Sequence, residues 1–210
     1  MKTTIKAKAI LIAVAMFTVL SANAADVMPP VLTPGSTYEF QRVDGFTGIE
    51  KQHWTLTFKG MKNGKYAYDG INNEGNYKFF QNKDLNSFAV NKKTGDITEY
   101  QIFKWPLTVG EEHVYQDRIG PVTVSVQATE KVETKAGVFD TYRIKRNGSW
   151  YSDETNRRGP WQEVCWYAPS IGSFVKIESS YADLLGRRYN WVKTELIKYT
   201  TPDTQPFPAN

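Results

Sequence analysis

The chain has 210 residues, with 26 Lys and Arg against 22 Asp and Glu, a formal net charge of +4. Lys2, Lys6 and Lys8 precede every acid, so the chain beyond residue 25 is close to neutral and gives no argument for nucleic-acid binding, which needs a clustered basic surface. Cys165 is the only cysteine, which excludes an internal disulfide framework and leaves stability to burial.

The N-terminus reads as an export signal. A lysine-rich start is followed by the apolar run Ala9 to Leu20 and by Ser21-Ala22-Asn23-Ala24-Ala25, where Ala22-Asn23-Ala24 fits the A-x-A cleavage pattern. The apolar run is shorter than the ~20 residues of a spanning helix. We therefore expect a Sec-type signal over residues 1–24, cut after Ala24 or Ala25, no transmembrane segment after its removal, and a periplasmic or secreted protein. No Cys stands just after the apolar run, which argues against a lipid anchor. Residues 25–36, with Pro29, Pro30 and Pro34, read as an extended leader.

From Thr37 the hydrophobic period is two. Tyr38 and Phe40 alternate with Glu39 and Gln41, and Trp54, Leu56 and Phe58 alternate with His53, Thr55, Thr57 and Lys59. Successive side chains on a strand take opposite faces, so these are half-buried antiparallel strands. Turn signals follow at short intervals: Asn63-Gly64, Asn73-Glu74-Gly75 and Thr94-Gly95-Asp96, the last ahead of a strand expected over Ile97 to Phe103. Val122, Val124 and Val126 alternate with polar neighbours in the same way. Val138 to Lys145 and Trp161 to Tyr167 are expected strands around a polar loop, and Pro169 and Gly172 bracket a turn into Phe174 to Glu178. A short helical turn is expected near Ala182 to Leu185, a last strand over Arg188 to Tyr199, and a flexible tail over 200–210.

The fold class is therefore all-β: one large curved antiparallel sheet, a half-barrel or barrel of about 10 to 13 strands, with almost no helix after the signal. A β-domain over 37–199 is one unit in length. The openings Gly35 to Gln41 and Gly110 to Gln116 share a G-x-x-aromatic-x-aromatic-Q pattern, which suggests two related halves meeting near residues 105–110.

Four segments resemble a group of exported, uncharacterised bacterial β-domains: Pro34 to Phe40, Pro106-Leu107-Thr108-Val109-Gly110, Val132 to Ile144, and Trp166 to Lys176. In layout this group is similar to the half-barrels of periplasmic lipoprotein carriers. The resemblance implies a concave apolar cup and carries no catalytic residue.

The chemistry-bearing residues are sparse. His53 and His113 stand alone, no metal-ligand spacing occurs, and there is no G-x-S-x-G elbow or glycine-rich phosphate loop. No metal, no cofactor and no catalytic set is expected. Cys165, within an aromatic strand, is expected to be buried. Arg143, Lys145, Arg146, Arg157 and Arg158 read as a solvated basic hairpin end. Aromatic residues make up 14% of the chain, and Trp161, Cys165 and Tyr167 share one strand face while Val164 and Trp166 share the other. Such a strand is covered twice or walls a cavity. The candidate ligand-binding residues are Trp150, Trp161, Trp166 and Tyr167, with Arg143, Arg157 and Arg158 to meet an acidic head group. The function expected is a non-enzymatic, carrier-like binding domain for a lipidic or apolar ligand or an envelope partner. The alternatives are an envelope interaction protein with a filled core and a hydrolase with an unrecognised site.

Overall fold

The computed structural model describes residues 27–90 and 95–202. The expected signal and residues 203–210 of the expected tail lie outside them. Twelve strands form one sheet: β1 (Thr37–Asp44), β2 (Glu50–Lys62), β3 (Lys65–Asn72), β4 (Gly75–Gln81), β5 (Ser87–Val90), β6 (Ile97–Tyr100), β7 (Glu112–Gln116), β8 (Pro121–Thr134), β9 (Gly137–Ser152), β10 (Arg157–Ala168), β11 (Ser173–Ala182) and β12 (Arg188–Thr200). No α-helix occurs among the described residues.

The strand order is β6-β5-β4-β3-β2-β1-β12-β11-β10-β9-β8-β7, antiparallel throughout. Two six-strand meanders are thus sewn together where the first strand lies beside the last, with Tyr38 opposite Tyr199 and Phe40 opposite Leu196. The free edges, β6 and β7, are consecutive in the chain and face each other: His113 on β7 donates through Nε2 to the carbonyl of Gln101, just past β6, at 2.8 Å. The sheet is a nearly closed barrel.

Alternation fills its inner face. Tyr38, Phe40, Phe58, Tyr68, Val122, Val124, Ile144, Cys165, Tyr167, Val175 and Leu196 are all buried. One barrel end is plugged by loops. Leu32, Leu85, Ile102, Phe103, Leu107 and Ile171 are buried there. The buried Asn86 side chain brackets Phe103, accepting from its N–H at 2.8 Å and donating to its carbonyl at 3.1 Å. Trp105 donates to the Asp84 carbonyl at 2.9 Å, and Val27 and Leu107 form an isolated bridge. Tyr38 donates to the Ile171 carbonyl at 2.8 Å, tying the plug to the barrel wall. The hairpin turns 45–49, 153–156 and 183–187 lie at the opposite end.

The two meanders open alike. Gly35 and Gly110 both have φ +93°, their N–H groups bond Phe58 and Val126 carbonyls, and register shifts follow at Phe58/Gly60 and at Val126/Ala128.

Three expectations differ from the structure. The helical turn near Ala182 to Leu185 is the end of β11 and a hairpin turn, because the Gly186 N–H bonds the Asp183 carbonyl and the chain reverses at once into β12. The polar loop between the central strands shrinks to 153–156, because β9 and β10 pair from Tyr142–Tyr167 out to Ser152–Arg157 and carry polar side chains with them. The strand over Ile97 to Phe103 ends at Tyr100, where Ile102 and Phe103 turn inward to plug the barrel. Residues 28–33 of the leader take no regular secondary structure and lie on the domain, with Val27 bridging Leu107 and Leu32 buried.

The β8–β9 hairpin turns on Lys135-Ala136, and Gly137 follows with φ +136°, where an added Cβ would meet only Phe139, at 3.9 Å. Space is open, so the demand is on the backbone. Gly137→Val is expected to lower stability by ~1 kcal/mol or more. An unchanged urea midpoint would remove that constraint.

Candidate ligand cavity

The barrel interior between the plug and the hairpin end is not filled. A cavity of about 400 Å³ remains. Its plug end is apolar, with Leu85, Ile102, Phe103, Tyr167 and Phe174. Phe103 stacks on Phe174 at 5.4 Å and meets Tyr167 edge-on at 4.8 Å. Its walls are Phe40, Trp54, Leu56, Phe79 and Ile177, and toward the hairpin end stand Arg42, Arg146 and Glu163.

Cross-strand geometry places each. Tyr77 lies opposite Gly70, where a Cβ would collide with the tyrosine ring, and Trp161 lies opposite Gly148 in the same relation. Each glycine lets an inward ring lie flat on the neighbouring strand. Arg146 and Glu163 are direct partners on β9 and β10, with Nη1 donating to Oε1 at 2.7 Å. Nη2 donates to the Tyr115 hydroxyl at 3.0 Å, and the guanidinium lies over the Trp161 ring at 5.1 Å. Glu163 also accepts from Ser179 Oγ at 2.6 Å and from Cys165 Sγ at 3.2 Å. Arg146 is only 9% exposed. Burial would lower its pKa, but the Glu163 carboxylate, with Cys165 and Tyr115, outweighs that and holds it above the ordinary value. Burial, then the Glu163 charge, pushes the Cys165 thiol up, so it packs as an inert, fully buried group.

Arg42 differs from Arg146. Its Nε donates to Thr194 Oγ1 at 3.2 Å and its Nη1 to Gln52 Oε1 at 3.4 Å, and it lies over the Trp54 ring at 5.2 Å. Those partners are neutral, and no carboxylate pairs with Arg42 among the described residues. Two buried donors on the cavity wall, Arg146 Nε and the Tyr167 hydroxyl, have no hydrogen-bond partner among the described residues.

The candidates read from sequence divide three ways. Tyr167 lines the cavity, and Trp161 faces inward beside it, over Arg146. Trp166 and Arg143 face outward. Trp166 Nε1 donates to Glu130 at 2.6 Å, and Arg143 approaches the same carboxylate at 3.9 Å. Trp150, Arg157 and Arg158 gather at the hairpin end, around a separate depression of about 410 Å³. Arg146, grouped with the solvated cations on sequence, is buried, because it shares the inward parity of Tyr142 and Ile144. The same parity argument would have found Arg42, two residues beyond Phe40, and Glu163, between Trp161 and Cys165. His53 pairs with Glu39 at 2.8 Å on the outer face. No group of His, Cys, Asp and Glu able to hold a metal ion occurs among the described residues.

No family model matches the chain, and no curated protein matches its sequence. Solved structures do match its fold. A protein from Bacteroides fragilis, described as exported and with a YmcC-like fold, aligns with TM-score 0.51 and 15% identity over 85% of this chain and 100% of its own. A protein from Parabacteroides distasonis described as a lipoprotein aligns with TM-score 0.52 and 15% identity over 84% of this chain and 100% of its own. The resemblance carried by the four sequence segments thus holds at the level of fold.

Arg146→Ala would strand the Glu163 carboxylate in the interior, at an expected cost of roughly 3 to 5 kcal/mol. Arg146→Met combined with Glu163→Leu is expected to recover most of that loss. Urea midpoints of Arg146→Met alone, Glu163→Leu alone and the double decide it. Simply additive losses would mean that the two side chains do not act as a pair.

Proposed function

We propose that this is a non-catalytic, carrier-like binding protein of the cell envelope, whose barrel holds one amphipathic anion with a long apolar tail. The observation that carries this reading is the polarity gradient of the cavity. Its size falls within the range of small-ligand sites. Its plug end offers aromatic rings, and its other end offers Arg42, a cation with only neutral hydrogen-bond partners. A tail lying against Phe103 and Phe174 would gain ~0.8 kcal/mol per buried methylene. A carboxylate or phosphate at the other end would meet Arg42, with Arg146 Nε as a further donor.

An exported location agrees with the Lys-rich start, apolar run and A-x-A site of residues 1–24. Two proteins that share the fold, one described as exported and one as a lipoprotein, support it. A non-enzymatic role is supported by the local chemistry: the buried thiol is held protonated and the buried carboxylate is committed to Arg146, Ser179 and Cys165.

Competition of unlabelled ligands against a dansylated fatty acid tests the reading. Wild type is expected to bind a long-chain fatty acid. Arg42→Gln is expected to weaken it by about tenfold or more, the weight of one charge-assisted hydrogen bond, and to leave the alcohol of equal chain length unaffected. No probe uptake by wild type, together with native mass spectra free of any co-purified lipid, would overturn the proposal.

A further inference from the structure

We propose that the hairpin end of the barrel docks on an anionic lipid bilayer, which sets the charged end of the cavity toward the membrane. This deepens the ligand reading and rests on it. The barrel's two ends are unlike: loops plug one, and the cavity's charged groups face the other.

The turn at the end of β11 is closed by Asp183 and Gly186. The Gly186 N–H bonds the Asp183 carbonyl at 2.9 Å, and Asp183 Oδ1 accepts from Leu185 and Arg187 N–H groups, each at 2.9 Å. The side chains of Leu184 and Leu185 contribute nothing to that closure, and polar residues are the usual occupants of such positions. They stand 71% and 79% exposed. The neighbouring β1–β2 turn is built alike. Asp44 Oδ1 accepts from the Phe46 and Thr47 N–H groups at 3.0 Å, and Phe46 and Ile49 are 57% and 65% exposed. The Gly45 N–H bonds the Trp191 carbonyl at 2.7 Å, and Phe46 meets the Trp191 ring edge-on at 5.6 Å, so the two turns stand side by side.

Cations gather beside the Leu184–Leu185 turn. Arg157, Arg158 and Arg187 line the depression that includes Leu184, Leu185 and Tyr189, and Asp183 is its one acid, paired with Arg187 at 2.8 Å. Arg188 and Lys193 lie over the Trp191 ring at 5.0 and 4.3 Å. Asp153 and Glu154 sit on the adjacent β9–β10 turn, where Asp153 approaches Arg118 at 3.9 Å. Aliphatic tips, a belt of Trp and Tyr, and arginines at head-group height form the chemistry of a bilayer surface rich in anionic lipid. Phe46, Ile49, Leu184 and Leu185 are carried on turns and stand more than half exposed, which suits a soft surface better than a folded partner.

Flotation with vesicles of phosphatidylglycerol and phosphatidylethanolamine, beside vesicles of phosphatidylcholine alone, tests the proposal. Wild type is expected to float with the anionic vesicles, less so as salt rises. Leu184→Ser with Leu185→Ser, and separately Arg157→Ser with Arg158→Ser, are each expected to reduce partitioning by about tenfold. The leucine variant is expected to keep wild-type uptake of the dansylated fatty acid in solution. Flotation that follows these rules without fatty-acid uptake would sink the ligand reading and leave the docking surface standing. No flotation of wild type, or a leucine variant that floats as well as wild type, overturns the docking surface. So does a soluble wild-type dimer that ignores vesicles and becomes monomeric in the leucine variant.

Discussion

A sheet of twelve strands with one apolar face must curl to hide it, and the curl encloses more room than its own side chains fill. Barrels of about eight strands are wide enough for side chains alone to pack the centre. Here β1 beside β12 joins two meanders into a single wall, and the free edges meet across the Gln101–His113 hydrogen bond. Loops from the N-terminal segment, from residues 82–86 and from residues 101–111 fill one end with Leu32, Leu85, Ile102 and Phe103. The remaining cavity follows from strand number and from the reach of those loops.

Polarity inside the cavity is set by a few inward positions that break the apolar run. Arg146 and Glu163 neutralise each other across β9 and β10, and Ser179 and Cys165 satisfy the carboxylate further. That leaves Arg42 as the interior cation with neutral partners. The Cys165 thiol, the one group that might have invited covalent chemistry, is held protonated by burial and by the carboxylate beside it.

Much of the fold was legible in the residues. Period-two runs such as Trp54-Leu56-Phe58 and turn pairs such as Asn63-Gly64 mark strands and hairpins directly, because face and turn chemistry are local properties. That Trp161, Cys165 and Tyr167 share one face was readable in the same way, whereas only the pairing and burial show that this face points inward. The cavity was less so. A cluster of cations close in sequence reads as one surface, yet Arg143, Arg146 and Arg157 occupy an outer face, the interior and a hairpin end. Strand alternation separates the first two, but only the pairing of Arg146 with Glu163 explains why a guanidinium is stable inside. Phe103 was read as strand because nothing local announces that Asn86, seventeen residues earlier, brackets its backbone. Sequence alone predicts a helical turn over Ala182 to Leu185, but the Gly186 N–H bonds the Asp183 carbonyl three residues back and closes a hairpin turn instead.

The account stands on the claim that the barrel interior is a binding volume and not a defect of packing. The most direct measurement is electron density inside the barrel, from crystals of protein purified from its native source without refolding. The account requires elongated density running from Phe103 and Phe174 toward Arg42, ending in a group within hydrogen-bond reach of that guanidinium. An interior closed by rearranged side chains, with Arg42 turned to solvent, would contradict it.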